Sequence, residues 1–157
     1  MLHNETVSKN FGKYRDQFVE FQSWVIPGEF FFINASWIKS HTINQMELAP
    51  FDYIKYSSMA PKIHTPDRLE SELVSIKKTN DFVYEGQVLI NSQTYHGFGR
   101  ILQYQGGKDS GNAYIYEGWF INGLPQGIGR KVYQDGTIYE GPFRSGLENG
   151  EGERDIV

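Results

Sequence analysis

The sequence predicts an α+β protein in which a small N-terminal α+β module precedes a solenoid of antiparallel β-hairpins. Two observations predict this division near residue 80. Fifteen of the 17 glycines lie from Asp81 onward, and there they recur at fixed distances from tyrosines. The first half has few glycines, and its apolar residues follow helical spacing. We therefore expect a module over residues 1–80 and a hairpin ribbon over residues 81–157.

The second half contains three copies of one pattern, Tyr-Glu-Gly followed by Gly-x-Gly. The second unit is 23 residues long, from Gly118 to Gly141. The first unit is longer, with two extra residues before Gly97 and about seven around residues 106–111. The residues that define the three units are Tyr84, Gly86, Gly97, Gly99, Tyr116, Gly118, Trp119, Phe120, Gly127, Gly129, Tyr139, Gly141, Phe143, Gly150 and Gly152.

Each unit is expected to form a β-hairpin, because its residues alternate with period two. Asn122-Gly123 is a strong turn signal, since both residues accept positive φ. Ser145-Gly146 occupies the same place in the third unit, and Asp135-Gly136 predicts the turn between units. Glycine weakens a strand unless it makes room for close approach. We therefore expect a Tyr or Phe of a neighbouring hairpin to lie over the glycines.

This pattern resembles the MORN repeat, which runs Tyr-x-Gly-x-aromatic, a short turn and Gly-x-Gly. The resemblance covers residues 82–153, roughly half of the chain. There are departures from it: Val88 stands where an aromatic residue is expected, and the third unit stops after one hairpin. Pro142 lies inside a predicted strand and has no N–H to donate, so it should face outward or lie at an edge.

The resemblance implies a curved antiparallel ribbon that serves as an assembly platform, as in ciliary, junctional and cytoskeletal scaffolds. In enzymes with such repeats, catalysis belongs to a separate domain. The candidate interaction residues are Trp119, Pro142, Phe143 and Lys108. The last hairpin should leave an open edge over residues 143–153, and we expect the N-terminal module or a partner chain to cover it.

The first half begins with an amphipathic helix, because six apolar residues are spaced alternately by four and three. They are Val7, Phe11, Tyr14, Phe18, Phe21 and Val25. Asn4 or Thr6 can cap this helix, and Pro27-Gly28 is expected to end it. The stripe is typical of core packing, and a partner helix along the same seam is the alternative.

Further elements are predicted before residue 80. Residues 29–34 form a short apolar run that predicts a buried strand, and residues 51–56 predict another. Thr65-Pro66-Asp67 predicts a helix start, with Leu69, Leu73 and Ile76 on its apolar face.

The segment over residues 7–76 also resembles the DUSP domain of ubiquitin-specific proteases, through Pro27-Gly28-Glu29-Phe30-Phe31-Phe32-Ile33, Trp37-Ile38, Pro61-Lys62-Ile63 and Leu69. The second Trp of that family is missing, so a generic α+β module is the alternative. The resemblance implies an interaction module and not the protease.

The residue types of known catalytic and metal sites do not form a recognisable pattern. There is no cysteine, and His3, His41, His64 and His96 have no metal-ligand spacing. We therefore expect no enzyme activity, no cofactor and no metal. Residues 81–157 hold six Lys/Arg against ten Asp/Glu, which argues against nucleic-acid binding and against direct lipid binding. No apolar run is long enough to predict a transmembrane segment.

We expect a non-catalytic structural or adaptor subunit whose partners are the protein subunits of a large assembly. An intracellular place in a cilium or the cytoskeleton is favoured by the resemblance to MORN proteins. The alternatives are an accessory subunit of a mitochondrial membrane complex and a peripheral phosphoinositide-binding module.

Overall fold

The computed structural model describes residues 16–23, 51–61, 71–90, 92–107, 110–149 and 153–155. Residues 16–23 are helical and are named α1. One turn of α-helix, Tyr53–Tyr56 (α2), continues into a 3-10 turn at Ser57–Met59. Most of the other described residues belong to β-strands.

The strands form one open antiparallel sheet. Their order is β1-β2-β3-β4-β6-β7-β8, with β5 paired to β4 and β9 paired to β7. The six longer strands therefore lie in the sheet in the order in which they follow along the chain. The bounds are β1 Ser71–Lys78, β2 Phe82–Leu89, β3 Tyr95–Gln103, β4 Tyr114–Ile121, β5 Leu124–Pro125, β6 Gly127–Tyr133, β7 Ile138–Arg144, β8 Leu147–Glu148 and β9 Glu153–Asp155.

The two faces of the sheet carry different clusters of buried residues. The repeat face carries Tyr84, Val88, Ile101, Tyr116, Phe120, Tyr139 and Phe143. The covered face carries Phe98, Trp119 and Ile128, which pack with residues of the two N-terminal segments. Because side chains alternate along a strand, consecutive residues supply both clusters, and the central strands are buried on both sides.

The N-terminal segments pack on the covered face through aromatic rings. The Phe21 ring of α1 lies 5.1 Å from Phe98 of β3, between centroids. The Tyr53 ring of α2 lies 5.2 Å from Phe21 and 5.5 Å from Trp119 of β4. The Tyr53 hydroxyl donates a hydrogen bond of 2.5 Å to the Gly99 carbonyl oxygen. These contacts join residues far apart in sequence into one buried layer.

The predicted first helix is confirmed for the part that the structure describes. Phe18 and Phe21 lie in the aromatic cluster on the covered face, as their helical spacing predicts. The other stripe residues, the caps and the predicted end of this helix fall outside the described residues. The predicted strand over residues 29–34 and Trp37-Ile38 also lies outside them, so these stay predictions.

The predicted strand at residues 51–56 is wrong, because Tyr53–Tyr56 is a helical turn. The Asp52 side chain accepts a hydrogen bond of 3.0 Å from the Lys55 N–H and so caps that turn. The turn also brings the rings of Phe51 and Tyr56 together, stacked 5.4 Å apart. An extended segment would not bring these two side chains to one side.

The predicted helix beginning at Thr65-Pro66-Asp67 is also wrong over its second half. Ser71–Lys78 is strand β1, paired antiparallel with β2, for example Leu73 with Gln87. Residues 62–70 lie outside the described residues. Strand β1 precedes residue 80 and belongs to the same sheet as the hairpins, while the division of the chain into two domains at that point stays a prediction.

Candidate interaction surface at the end of the hairpin array

Three tyrosines hold the three units in the same way. The hydroxyls of Tyr84, Tyr116 and Tyr139 donate to the carbonyl oxygen three residues later, at 2.6, 2.7 and 2.8 Å. The acceptors belong to Gln87, Trp119 and Pro142. Burial raises the pKa of the Tyr84 and Tyr116 hydroxyls far above the usual value, so both remain donors. Each unit therefore has the same hydrogen bond from a tyrosine hydroxyl to a backbone carbonyl at an equivalent place, and we call this bond the tyrosine latch.

The glycines of the strands lie beneath these tyrosine rings. A Cβ added at Gly129 would lie 2.6 Å from Cε2 of Tyr116. The Tyr84 ring lies over Gly99 in the same manner, so a side chain at either glycine would displace the ring. The predicted close approach of an aromatic ring is confirmed at both positions, but the expected origin of the ring is wrong, because each tyrosine belongs to the same unit as its glycine and not to a neighbouring hairpin.

The rings of successive units interlock across the repeat face. Phe120 packs edge to face against Tyr84 of the preceding unit at 5.6 Å and against Tyr116 of its own unit at 5.0 Å. Phe143 repeats this arrangement with Tyr116 at 5.0 Å and Tyr139 at 5.2 Å. Val88 is buried in the same cluster, so the departure from an aromatic residue leaves that core intact.

The hairpin turns stack above one another. Asn122 and Ser145 have φ of 50° and 51°, and the glycines that follow them have φ of 86° and 88°, as the turn sequences predict. The Gly123 N–H donates to the Tyr95 carbonyl at 2.8 Å, and the Gly146 N–H donates to the Pro125 carbonyl at 2.9 Å. Each turn is thereby bonded to the strand of the preceding unit.

A second bond at each turn uses a side chain as acceptor. The Asn122 N–H donates to His96 Nδ1 at 3.1 Å, and the Ser145 N–H donates to Gln126 Oε1 at 2.9 Å. Burial lowers the pKa of His96, which keeps that nitrogen able to accept. Sequence reasoning missed these acceptors, although both occupy the position immediately before Gly-x-Gly.

A row of charged residues crosses the covered face. The strand register places Glu85, Arg100, Glu117, Arg130 and Glu140 side by side on consecutive strands. Arg130 and Glu117 form a buried ion pair of 2.7 Å. Arg100 Nε and Glu85 Oε1 are 3.1 Å apart but are not aligned as a hydrogen bond. Burial raises the pKa of the Glu85 carboxyl to about 7, although Arg100 acts to lower it.

The candidate interaction residues lie in different environments. Trp119 is fully buried beneath Tyr53, and Phe143 is 2% exposed in the repeat-face core, so neither is available to a partner as placed here. The two side chains lie on opposite faces of the sheet, and the sequence pattern alone does not show that both faces are covered. Lys108 lies outside the described residues. Gly150 and Gly152 also lie outside them.

Pro142 is half-buried within β7, which is flanked by β6 and by β8 and β9. It falls between Phe143, which pairs with Glu148 of β8, and Glu140, which pairs with Glu153 of β9. The missing N–H is thus tolerated where pairing passes from one short strand to the next. Pro142 was expected either to face outward or to lie at an edge of the sheet. The second of these is wrong, because β7 has paired strands on both sides.

The C-terminal end of the array exposes apolar and polar groups. Leu147 is 72% exposed, whereas the equivalent Leu124 of the preceding unit is 49% exposed. Asn149, in the position of His96 and Gln126, is exposed. Among the described residues, β8 and β9 pair only with β7. The N-terminal segments described here cover a face of the sheet, and the expected cover of its edge stays a prediction.

The loop between β3 and β4 contains the main insertion. Gly106, Gly107 and Gly111 have positive φ, and a Cβ added at either of the latter two would meet no atom within 4 Å. The Ser110 hydroxyl bonds to the Gln105 carbonyl at 2.5 Å and closes the loop. The described residues of the insertion, 106–107 and 110–111, are therefore exposed at the surface.

Within the described ranges, no three His, Cys, Asp or Glu side chains come together in a way that could hold a metal ion. In the same ranges, no helix is both long and apolar enough to cross a membrane. His96 is engaged with the Asn122 N–H of the next turn.

Comparison with known proteins gives no identification. The chain matches no protein-family model, and no curated protein is significantly similar to it.

Proposed function

We propose that this chain is a non-catalytic structural or adaptor subunit that holds protein subunits together in a larger assembly. The observation that carries the proposal is the open end of the hairpin array, where Leu147 and Asn149 are exposed beside the short strands β8 and β9. Open sheet ends readily pair with other chains. We further propose that the hairpins are MORN-type units of a solenoid, on the basis of the equivalent tyrosine latches and turns.

The equivalent contacts between units support this function. Each unit bonds to the preceding one through its turn and its Phe ring, so the same geometry can continue into another chain. The resemblance to MORN proteins supports an assembly in a cilium or the cytoskeleton. That setting is part of the proposal.

Cross-linking mass spectrometry on the full chain, tagged and isolated from its own cells, tests the function. Inter-protein cross-links should concentrate around residues 144–149. Leu147→Asp should reduce them, whereas Leu124→Asp, at an equivalent exposed leucine inside the array, should leave most of them. A chain that forms no inter-protein cross-links but sediments with anionic liposomes would contradict the proposal.

A further inference from the structure

The same side-chain hydrogen bond joins each hairpin to the next one, and the last hairpin has a residue that could make this bond to another chain. The residue immediately before Gly-x-Gly is His96 in the first unit, Gln126 in the second and Asn149 in the third. In the first two units its side chain accepts the N–H of the first turn residue of the next hairpin, at 3.1 and 2.9 Å. The chemistry is the same although an imidazole serves in one junction and an amide in the other.

Asn149 has the chemistry that this rule requires. Its carboxamide carries the same acceptor oxygen as that of Gln126 on a side chain one methylene shorter. Asn149 is exposed, and its N–H donates to the Pro142 carbonyl at 3.0 Å, just as the Gln126 N–H donates to the Trp119 carbonyl at 3.0 Å. The backbone therefore presents both side chains from an equivalent position.

The exposure of the two equivalent leucines indicates where a further turn would lie. Leu124 Cδ2 is 3.5 Å from the point where Gly146 would carry a Cβ, so the tip of the third hairpin stands beside Leu124. Leu147 is the more exposed of the two. A glycine-containing turn beside Leu147 would bury apolar surface there as Gly146 does beside Leu124.

Charge at this end of the sheet favours a basic partner strand. Within the row of charges, Glu117 lies between Arg100 and Arg130. Glu140 has Arg130 on one side, but its register position on the other side is Glu153 of β9. The row thus ends in two acidic positions, and a strand that adds beside β9 is favoured when it brings Arg or Lys.

We propose that the tip over residues 147–149 binds a two-residue β-turn of a partner protein, whose first turn residue donates its N–H to Asn149 Oδ1. This rests on the proposed scaffold function and specifies the partner. The partner's turn is of the Asn-Gly or Ser-Gly type, because its first residue must accept a φ near that of Asn122 and Ser145. The strand that precedes this turn lies beside β9, as β4 lies beside β3 and β7 beside β6, and it carries the basic residue.

A second copy of this chain fits the tip poorly. Its first hairpin is joined by residues 90–94, which read Ile-Asn-Ser-Gln-Thr and contain no glycine. Its outer edge is β1, which lacks the repeat pattern. The two glycine-containing turns of such a copy, at Gly123 and Gly146, are already bonded within its own array, so a different protein with a glycine-containing turn is the occupant.

The test uses as its probe a cyclic peptide of residues 137–149 that carries Glu140→Lys, so that a basic residue faces Glu153, and is closed by an added disulfide. This hairpin already stacks on the second unit through Ser145-Gly146, so it carries the required turn. Titration into the full chain should shift the NMR signals of the Asn149 side-chain amide and the Leu147 methyl groups. N-methylation of the Ser145 amide in the peptide removes the donor and should weaken binding about tenfold.

Variants of the full chain distinguish the hydrogen bond to Asn149 from non-specific binding of the peptide. Asn149→Leu should weaken peptide binding about tenfold, and Asn149→Asp, which keeps an acceptor oxygen, should retain it. Asn112→Leu, at an exposed asparagine in the distant β3–β4 loop, is the matched control and should have no effect.

Equal affinity for the N-methylated peptide, or no binding at all, would overturn the inference. Self-association in light scattering that Asn149→Leu abolishes would identify a second copy as the occupant and also overturn it. If partner cross-links in cells persist in Asn149→Leu, the scaffold function stands while this assignment of the tip fails.

Discussion

Glu85 is 1% exposed, and burial raises the pKa of its carboxyl to about 7, against an ordinary value of 4.5. The folded state therefore holds this proton more tightly than the unfolded chain does. The contribution of Glu85 to stability is greatest below pH 4.5 and is lost as the pH rises to 7. This difference in pKa between the folded and the unfolded state corresponds to a change in the free energy of unfolding on the order of 3 kcal/mol.

Glu85→Gln should make this dependence measurable, because glutamine keeps the shape of the protonated carboxyl. The free energies of unfolding of the two proteins should be similar at pH 4.5. By pH 8 the variant should be the more stable by on the order of 3 kcal/mol. Urea unfolding at a series of pH values measures the difference in free energy of unfolding between the two proteins. The contributions of other titrating groups, including His96, are present in both proteins and cancel in this difference. A difference that stays constant over this range would contradict the role given to Glu85.

Gly129→Ala should destabilise the sheet by about 1–3 kcal/mol, since the added methyl group meets the buried Tyr116 ring. Urea unfolding provides the measurement. Gly129 lacks positive φ, so the loss reports crowding rather than backbone strain.

A Tyr116→Leu background is the control for this prediction. Leucine does not reach the place of the phenol ring, and the added cost of Gly129→Ala should then shrink by more than half. An unchanged cost in that background would show that the ring is not what the methyl group meets.

At the level of elements, α2 holds Trp119 away from solvent through the Tyr53 ring. Tyr53→Leu should expose the indole, measured as increased acrylamide quenching of fluorescence in a chain whose Trp24 and Trp37 are replaced by Phe. Ile54→Ala changes a neighbour that is 66% exposed and should leave quenching unaltered. Equal quenching in both variants, with native circular dichroism, would refute this role of α2.

The hairpins were predictable because their signals are local. The turns at Asn122-Gly123 and Ser145-Gly146 have the φ values that their residues favour. The strand glycines under Tyr84 and Tyr116 follow from the same local spacing. These features depend on residues within one unit or between adjacent units, so a sequence pattern can specify them.

The remaining elements depend on contacts that sequence spacing does not reveal. Leu69, Leu73 and Ile76 have helical spacing, but pairing with β2 makes residues 71–78 a strand. At residues 51–56, the Asp52 cap and the stacking of Phe51 on Tyr56 favour a helical turn over the expected strand. At the candidate surface, the acceptor roles of His96 and Gln126 required knowledge of which turn lies next to each side chain.

For the whole molecule, stability should grow with the number of units, because in the described sheet each unit pairs its strands with those of the adjacent units. We predict that a second copy of residues 118–140, inserted after Glu140, folds in register, since Gly118 and Gly141 are equivalent positions. Urea unfolding should then give a larger m-value and a higher free energy of unfolding.

A matched insertion with the order of the same residues shuffled controls for length. It should not raise the m-value of the folded array, because a shuffled copy lacks the tyrosine latch and the turn bonds. An intact copy that behaves like the shuffled one would contradict the equivalence of the units.

The strand order has a mechanical consequence. Strands β1 and β9 lie toward opposite ends of the sheet, and the strands between them follow chain order. Tension applied across the sheet, between its two ends, would load the backbone hydrogen bonds one strand at a time and peel the hairpins apart in sequence. If this chain links two larger bodies, it would yield under load by successive small extensions and re-form by local pairing when the load is released.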